Sequence, residues 1–377
     1  MHITLMNITF ESRGSDSGNR ILVTRPLVGE RWLDLLTSAG FHIDICTIER
    51  TLSPAELIEA IGTSCVGAIG QLSESWNADV LRALHAGGGR VVCNYAVGYN
   101  NIDVTEATRL GIAVGNTPGV LTEATAELAA ALTYAAIRQV VPADTFTREG
   151  RFIGWAPSLF LGDLLHRKTL GVLGPGRIGT AYIRCLAFGN RMDIMYVSRS
   201  PKGDLEREVA SFNRYLTEMG ERPISITRAG TLRELLEPSD VVALLSSYDP
   251  SMRHLMGESE LRAMKPNAVL VNASRGPVVD ESALVRHLQT HPGFRAGLDV
   301  YEDEPRLAEG LRSCSNALLM PHIGSATHWS REAMSVLAAR NIIGVLQGWP
   351  RWNGSTYLPL LADDAPQATP SIVNIPQ

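Results

Sequence analysis

Twice along this 377-residue chain, short apolar runs bounded by Gly, Asn or Asp alternate with longer stretches of helical spacing. Strands buried on both faces read as continuous apolar runs, and parallel neighbours need a helix-length crossover between them. The alternation therefore predicts parallel sheets with helices on both faces. The first series holds Arg20–Thr24, Phe41–Ile45, Gly67–Gly70 and Arg90–Cys93, with helical spacing in Trp32–Leu36 and Asp79–Leu84 between them. The second holds Leu170–Leu173, Asp193–Val197, Val241–Leu245, Ala268–Val271 and Ala317–Leu319. Two long helical stretches, Pro118–Arg138 and Thr327–Gln347, stand at the joins between the series and serve as expected hinges. The expected architecture is α/β, with two Rossmann-like domains built on doubly wound parallel sheets. One of them, residues 118–321, is inserted into the other, a flavodoxin-like domain made of residues 1–117 and 322–377. The tail from Asp363 to Gln377, rich in Pro and Ala, reads as a segment ordered on the surface or as a loose extension.

Charge and cysteine usage narrow the function classes. A formal net charge of −5 leaves no basic footprint for nucleic acid or an anionic membrane, so an anion site must be local. No apolar run reaches the ~18 residues of a membrane span. The five cysteines, Cys46, Cys65, Cys93, Cys185 and Cys314, are scattered and form no C-x-x-C, and the histidines show no paired helical spacing. Neither a disulfide framework nor a metal site is expected. Met1–Arg20 lacks the apolar stretch of a secretory signal, and the ending Ile375-Pro376-Gln377 is not a peroxisomal address, so a cytoplasmic location is expected.

Gly174-Pro175-Gly176-Arg177-Ile178-Gly179 fits G-x-G-x-x-G between an apolar run and a helical stretch that runs from Ile178 onward. In such a turn Gly174 permits the tight bend, Gly176 lets backbone approach a pyrophosphate and Gly179 lets helix pack on strand. The helix N-terminus then faces the phosphates. About 20 residues on, an acidic residue would receive the ribose 2′-hydroxyl of NAD. Here Ser198-Arg199-Ser200 stands instead. A carboxylate repels a 2′-phosphate, whereas a guanidinium and two hydroxyls bind one through charge-assisted hydrogen bonds. NADPH is the expected cofactor, with NADH as the alternative.

Three further segments put unusual polar residues at the ends of expected strands, where ligands of open α/β sheets bind. They are Val271–Asp280, Gly297–Pro305 and Met320–Gly324. Together with the glycine motif they resemble the D-isomer-specific 2-hydroxyacid dehydrogenases over nearly the whole chain. Asn94–Asp103, Ala113–Glu123, the ending Pro370–Asn374 and a helical insertion at about Leu205–Gly220 are most similar to the plant-type hydroxypyruvate reductases of that family. Two features depart from the plant peroxisomal enzymes: they carry an acidic residue where Ser198-Arg199 stands, and a peroxisomal ending.

The resemblance implies that Arg275 binds the substrate carboxylate and carbonyl oxygen, that Glu304 pairs with His322, and that His322 is the proton donor. The chemistry agrees: reducing a 2-oxo acid delivers hydride to C2 and a proton to the developing alkoxide. A carboxylate beside the imidazole favours its charged, donating form. Glu302 and Asp303 compete with Glu304, and only the resemblance selects the last. It also implies that Ala273 and Asp299 line the cofactor, Asp299 facing the nicotinamide carboxamide, and that the Val97 and Gly98 amides receive the substrate carboxylate. Trp155 is either a residue closing the pocket of a neighbouring subunit or a core tryptophan, and the helix Leu121–Arg138 either a homodimer face or internal packing. The expected function is reduction of hydroxypyruvate to D-glycerate, and of glyoxylate to glycolate. Another D-2-hydroxyacid dehydrogenase, or a nucleotide-sensing interaction protein like the corepressors on this fold, is the alternative. Formate dehydrogenase is disfavoured, because Glu304 stands where a neutral amide is expected.

Overall fold

The computed structural model describes residues 8–17 and 19–374. The terminal segments read above for targeting signals, from Met1 through Asn7 and from Ile375 to Gln377, lie outside the described residues. The chain divides into two compact units, Met1–Leu121 with Ala326–Gln377, and Thr122–Ser325. The expected cuts, after Thr117 and after Pro321, fall four residues before these.

The first unit carries β1 (Phe10–Gly14), β2 (Arg20–Val23), β3 (His42–Cys46), β4 (Gly67–Gly70), β5 (Val91–Asn94) and β6 (Ala113–Gly115), in the order β1-β3-β2-β4-β5-β6. Only β1 runs antiparallel, against β3. Without it, the five parallel strands follow the flavodoxin order. The second unit carries β7 (Thr169–Leu173), β8 (Asp193–Val197), β9 (Ile226–Arg228), β10 (Val241–Leu244), β11 (Val269–Asn272), β12 (Arg295–Leu298) and β13 (Ala317–Leu319). Their order, β13-β12-β11-β10-β7-β8-β9, is the Rossmann arrangement with one strand added beyond β12, and its topological switch lies between β7 and β10. Strands β1, β6, β9 and β12 stand outside the two apolar series for local reasons. β1 is exposed at all five residues, β6 and β9 have three residues each, and β12 (Arg-Ala-Gly-Leu) opens on a charge and holds a glycine.

Alternation along each strand builds the second core on both faces of its sheet. Leu170, Val172, Val241, Ala243, Val269 and Val271 join one apolar cluster. Leu173, Val242, Leu244 and Leu270 join the other. Each such Leu or Val, fully buried, contributes about 1.5–3 kcal/mol. The helix Thr122–Ile137 lays Ala126, Ala129, Leu132 and Ile137 into the first cluster, so its apolar face is spent inside its own unit.

The tail is anchored. Val373 N–H donates to the Val114 carbonyl at 2.9 Å, and the Asn374 side chain bridges the Val114 N–H and the Ile112 carbonyl, 2.8 Å each. Of the two expectations for the tail, the ordered surface segment holds for its described part and the loose extension does not, because the open edge of β6 offers backbone groups that these residues satisfy.

One buried base in the second unit sets an acid limit on stability. His287 lies between the His291 ring, stacked at 4.0 Å, and the edge of Phe294. Burial first, then the charges of His291 and Arg262, push its imidazole down to about 4 from an ordinary 6.5. Between those values the unfolded chain binds a proton that the folded one refuses, so the contribution is complete above about 6.5 and is lost as pH falls through about 4. The thermal midpoint should fall across that window, and His287→Phe, which keeps the ring but cannot titrate, should fall less steeply. Equal slopes for the two proteins would refute this.

Candidate active site

The turn after β7 is built as its spacing requires. Gly174 has φ 84°, in the region that favours glycine, and a Cβ there would lie 2.5 Å from Ser246. A Cβ on Gly179 would meet the Gly174 carbonyl at 2.5 Å, whereas one on Gly176 would meet nothing within 4 Å. Two glycines thus close the turn and the third leaves open space in front of the helix Arg177–Ile183, a cradle that suits a pyrophosphate. Arg177 is exposed, and Ile178 packs against the unit's core.

Beyond β8 the Ser198-Arg199-Ser200 turn is held rigidly. The Ser198 hydroxyl donates to the Ser200 carbonyl at 2.6 Å, and Arg199 projects to solvent. Tyr196 Oη accepts the Lys202 N–H at 3.1 Å and donates to Glu206 at 2.5 Å. A residue that the sequence reading passed over completes the hold: Arg228, at the end of β9, donates through Nη2 to the carbonyls of Ser198 (2.9 Å) and Arg199 (3.1 Å). Its only sequence signal was a basic residue in a strand too short to notice.

Arg275, Glu304 and His322 all belong to the second unit. Asn272, the last residue of β11, caps the loop that carries Arg275. Its Oδ1 accepts the N–H and hydroxyl of Ser274 (3.1 and 2.8 Å), and its Nδ2 donates to the Arg275 carbonyl at 3.0 Å. At Gly276 a Cβ would lie 1.8 Å from the Tyr301 backbone, so only glycine lets this loop approach the loop that carries Glu304. Burial lowers the Arg275 pKa, and the Glu304 charge opposes that shift. The Arg275 Nη1 donates to the Ser274 carbonyl at 2.7 Å.

His322 Nδ1 lies 2.9 Å from Glu304 Oε2, while Glu304 Oε1 accepts the Tyr301 N–H at 3.0 Å. Burial works to raise the Glu304 pKa, but the His322 bond and charge, the Tyr301 N–H and Arg275 outweigh it and hold the carboxyl below its usual range. With Nδ1 committed to the carboxylate, Nε2 is the ring atom left for chemistry. The side chains remain 24% (His322) and 31% (Glu304) accessible. The two competing acids are engaged elsewhere: Glu302 with His254 at 2.7 Å and with Arg253, Asp303 with Arg306 at 2.6 Å.

His322 sits at φ 54°, a left-handed conformation that costs a residue with a Cβ about 1–3 kcal/mol and persists only where its surroundings over-determine it. Asp299 supplies that determination. Its two carboxylate oxygens accept the Ile323 and Gly324 amides at 2.7 and 2.8 Å. The same bonds keep His322 in the second unit, although the expected boundary put it with the first. Asp299 is buried, and desolvation raises its pKa against the pull of those amides and of His322. The resemblance implies that Asp299 faces the nicotinamide, and no local sequence pattern announces this loop-holding contact. Ala273 is half-buried at the end of β11, and its N–H points to the Leu244 carbonyl at 3.4 Å.

In the first unit, Val97 and Gly98 lie in the loop after β5 and are held by their carbonyls. Asn116 Nδ2 donates to Val97 at 2.8 Å and Asn94 Nδ2 to Gly98 at 2.6 Å. Trp155 is not a core residue: 84% of it is exposed, next to Ile153 at 98%. Among the described residues no group of three His, Cys, Asp or Glu is arranged to hold a metal ion, and no helix is long and apolar enough to cross a membrane.

A Rossmann sheet with a glycine cradle at its first strand and an Arg, Glu and His gathered at its later strands defines a dinucleotide-dependent dehydrogenase fold. Residues 130–324 match the D-isomer specific 2-hydroxyacid dehydrogenase, NAD binding domain. The chain is 46% identical to a glycerate dehydrogenase of Cucumis sativus over 94% of each protein. It is 45% identical to a peroxisomal glycerate dehydrogenase of Arabidopsis thaliana, over 97% of this chain and 96% of the other. An NADPH-dependent glyoxylate/hydroxypyruvate reductase of Sinorhizobium meliloti, solved in complex with NADP and malonate, matches with a TM-score of 0.72 at 32% identity, over 89% of this chain and 95% of that one. The chain belongs to the D-isomer-specific 2-hydroxyacid dehydrogenase family.

Proposed function

We propose that this protein reduces small 2-oxo acids, hydroxypyruvate to D-glycerate and glyoxylate to glycolate, with NADPH as the preferred donor. The observation that carries the reading is the 2.9 Å Glu304–His322 pair in the same unit as Arg275 and the open glycine cradle. The names of the relatives and of the structural neighbour point the same way. Gly174, Gly176, Arg177, Ile178 and Gly179 would hold the pyrophosphate end of the dinucleotide, and Ala273 and Asp299 its nicotinamide end. The bound cofactor supplies the hydride received by substrate C2. Arg275 binds the carboxylate and, as charge grows on the carbonyl oxygen, stabilises it. Val97 and Gly98 offer their amides to the same carboxylate. His322 delivers the proton to that oxygen from Nε2, and Glu304 holds the imidazole in place and balances its charge.

The preference for NADPH rests on Arg199, flanked by the Ser198 and Ser200 hydroxyls on a turn that Arg228 fixes. Steady-state rates with hydroxypyruvate and glyoxylate, each with NADPH and NADH, test both parts. Turnover with either acid supports the reductase, and a kcat/KM at least tenfold in favour of NADH would overturn the cofactor choice. Arg199→Ala should raise the KM for NADPH about 10–100-fold, the weight of one or two charge-assisted bonds, and leave that for NADH within about twofold.

A homodimer belongs to the same reading. Phe152, Ile153, Trp155, Leu161 and Leu164 are all more than half exposed, an apolar concentration that marks an association surface, and a second copy covers it. Ile153→Asp with Trp155→Asp should convert a species of two chain masses to one in light scattering. A wild-type monomer would overturn this. Free cysteines, four of the five buried, suit a reducing compartment, and we place the enzyme in the cytoplasm. Fractionation into an organelle would correct that.

A further inference from the structure

The C-terminal tail runs along β6 and meets Asn116, the residue that holds the Val97 carbonyl. An antiparallel bridge joins Ile372 to Gly115 at the end of β6, and the Asn116 N–H points to the Ser371 carbonyl at 3.3 Å. The Ser371 hydroxyl donates to Asn116 Oδ1 at 2.6 Å, and the other end of that buried amide, Nδ2, donates to the Val97 carbonyl at 2.8 Å. Asn341, fully buried on the helix His328–Gln347, ties the same two residues together: its Nδ2 donates to the Asn116 carbonyl at 2.9 Å, and its Oδ1 accepts the Ser371 N–H at 2.8 Å.

A primary amide has a donor end and an acceptor end, and a carbonyl can pair only with the donor end. By giving its proton to Oδ1, Ser371 commits Nδ2 to Val97, and the Val97 carbonyl in turn fixes the peptide plane that presents the Gly98 N–H. Without that hydroxyl, Oδ1 is buried without its partner and the amide is free to turn, which would put oxygen against oxygen at Val97.

We propose that Ser371, in the C-terminal tail, is a positioning residue for the substrate carboxylate, acting through Asn116 on the Val97–Gly98 amides. This rests on the reading of those amides as carboxylate ligands. Ser371→Ala in the full-length chain should raise the KM for hydroxypyruvate roughly tenfold, the weight of one buried hydrogen bond, with kcat and the KM for NADPH within about twofold; Ser371→Thr should restore it. Ser371→Cys, which keeps the volume and weakens the donor, should move the KM in the same direction by a smaller factor, and it supplies the readout where the alanine variant does not fold. Asn374→Ala loosens the same tail at Val114 and Ile112 without touching Asn116. It should lower the thermal midpoint and leave the hydroxypyruvate KM unchanged.

Equal KM changes in Ser371→Ala and Asn374→Ala, or a parallel rise in the KM for NADPH, would reduce the tail to a structural brace and overturn the proposal. Gly98→Ala separates the two levels. If it raises the hydroxypyruvate KM while Ser371→Ala does not, the positioning role fails and the carboxylate reading stands; if neither moves it, the carboxylate reading fails as well.

Discussion

Replacing His322 with Gln should lower turnover of hydroxypyruvate by about 10²–10⁴-fold, the usual range for a lost general acid, while NADPH binding followed by its fluorescence stays near the wild-type value. Glutamine is the informative replacement because its amide can still donate to Glu304 Oε2, now 2.9 Å from the ring. The loop therefore keeps its partner, and only the transferable proton is removed. The left-handed backbone at this position is held by Asp299 through Ile323 and Gly324 and does not depend on the imidazole. A fall in kcat here reports chemistry and not a collapsed loop. Turnover within about threefold of wild type would remove His322 from the mechanism, since acid catalysis carries at least about 10².

Arg275→Met should cost more in kcat/KM than any substitution on the first unit, about 10³-fold or beyond. The guanidinium is assigned both the substrate carboxylate and the developing oxyanion, and a single oxyanion donor alone is worth about 10²–10³ in kcat. Arg275→Lys should recover only a small part, because one ammonium cannot reproduce the planar fork. Burial makes the loss sharper: the side chain works where desolvation already disfavours its charge, and Glu304 is the carboxylate that opposes this. Removing Arg275 also withdraws one of the influences that keep Glu304 below its usual range, so the acid limb of the pH–rate profile should move upward. A variant with kcat/KM within tenfold of wild type would assign the substrate anchor elsewhere.

Much of the fold was legible because its signals are local. The continuously buried runs Val241–Leu244 and Val269–Asn272, the turn chemistry of Gly174 and Gly179, and the Thr327 cap that opens the helix His328–Gln347 are fixed within a few residues. The insertion helix Gly203–Glu218 was visible for the same reason. The strands β6 and β9 were not: three residues carry no period, and β13, equally short, is legible only because Ala317–Leu319 is apolar throughout. Arg228 was lost with β9, and with it the residue that fixes the turn bearing Arg199.

At the candidate site the sequence by itself determined the glycine cradle, the Ser198-Arg199-Ser200 turn and the three segments that bear Arg275, Glu304 and His322. It left three acids in one loop open. The tertiary structure distributes them, Glu302 to Arg253 and His254, Asp303 to Arg306 and Glu304 to His322, and gives Asp299 a loop-holding contact that no local pattern announces. The physical reason is range. Side-chain period and turn chemistry act over a few residues, whereas Glu304 meets His322 across 18 positions and Ser371 meets Asn116 across 255. Which of several equivalent side chains closes such a contact is decided only when the packed sheets bring the chain back on itself.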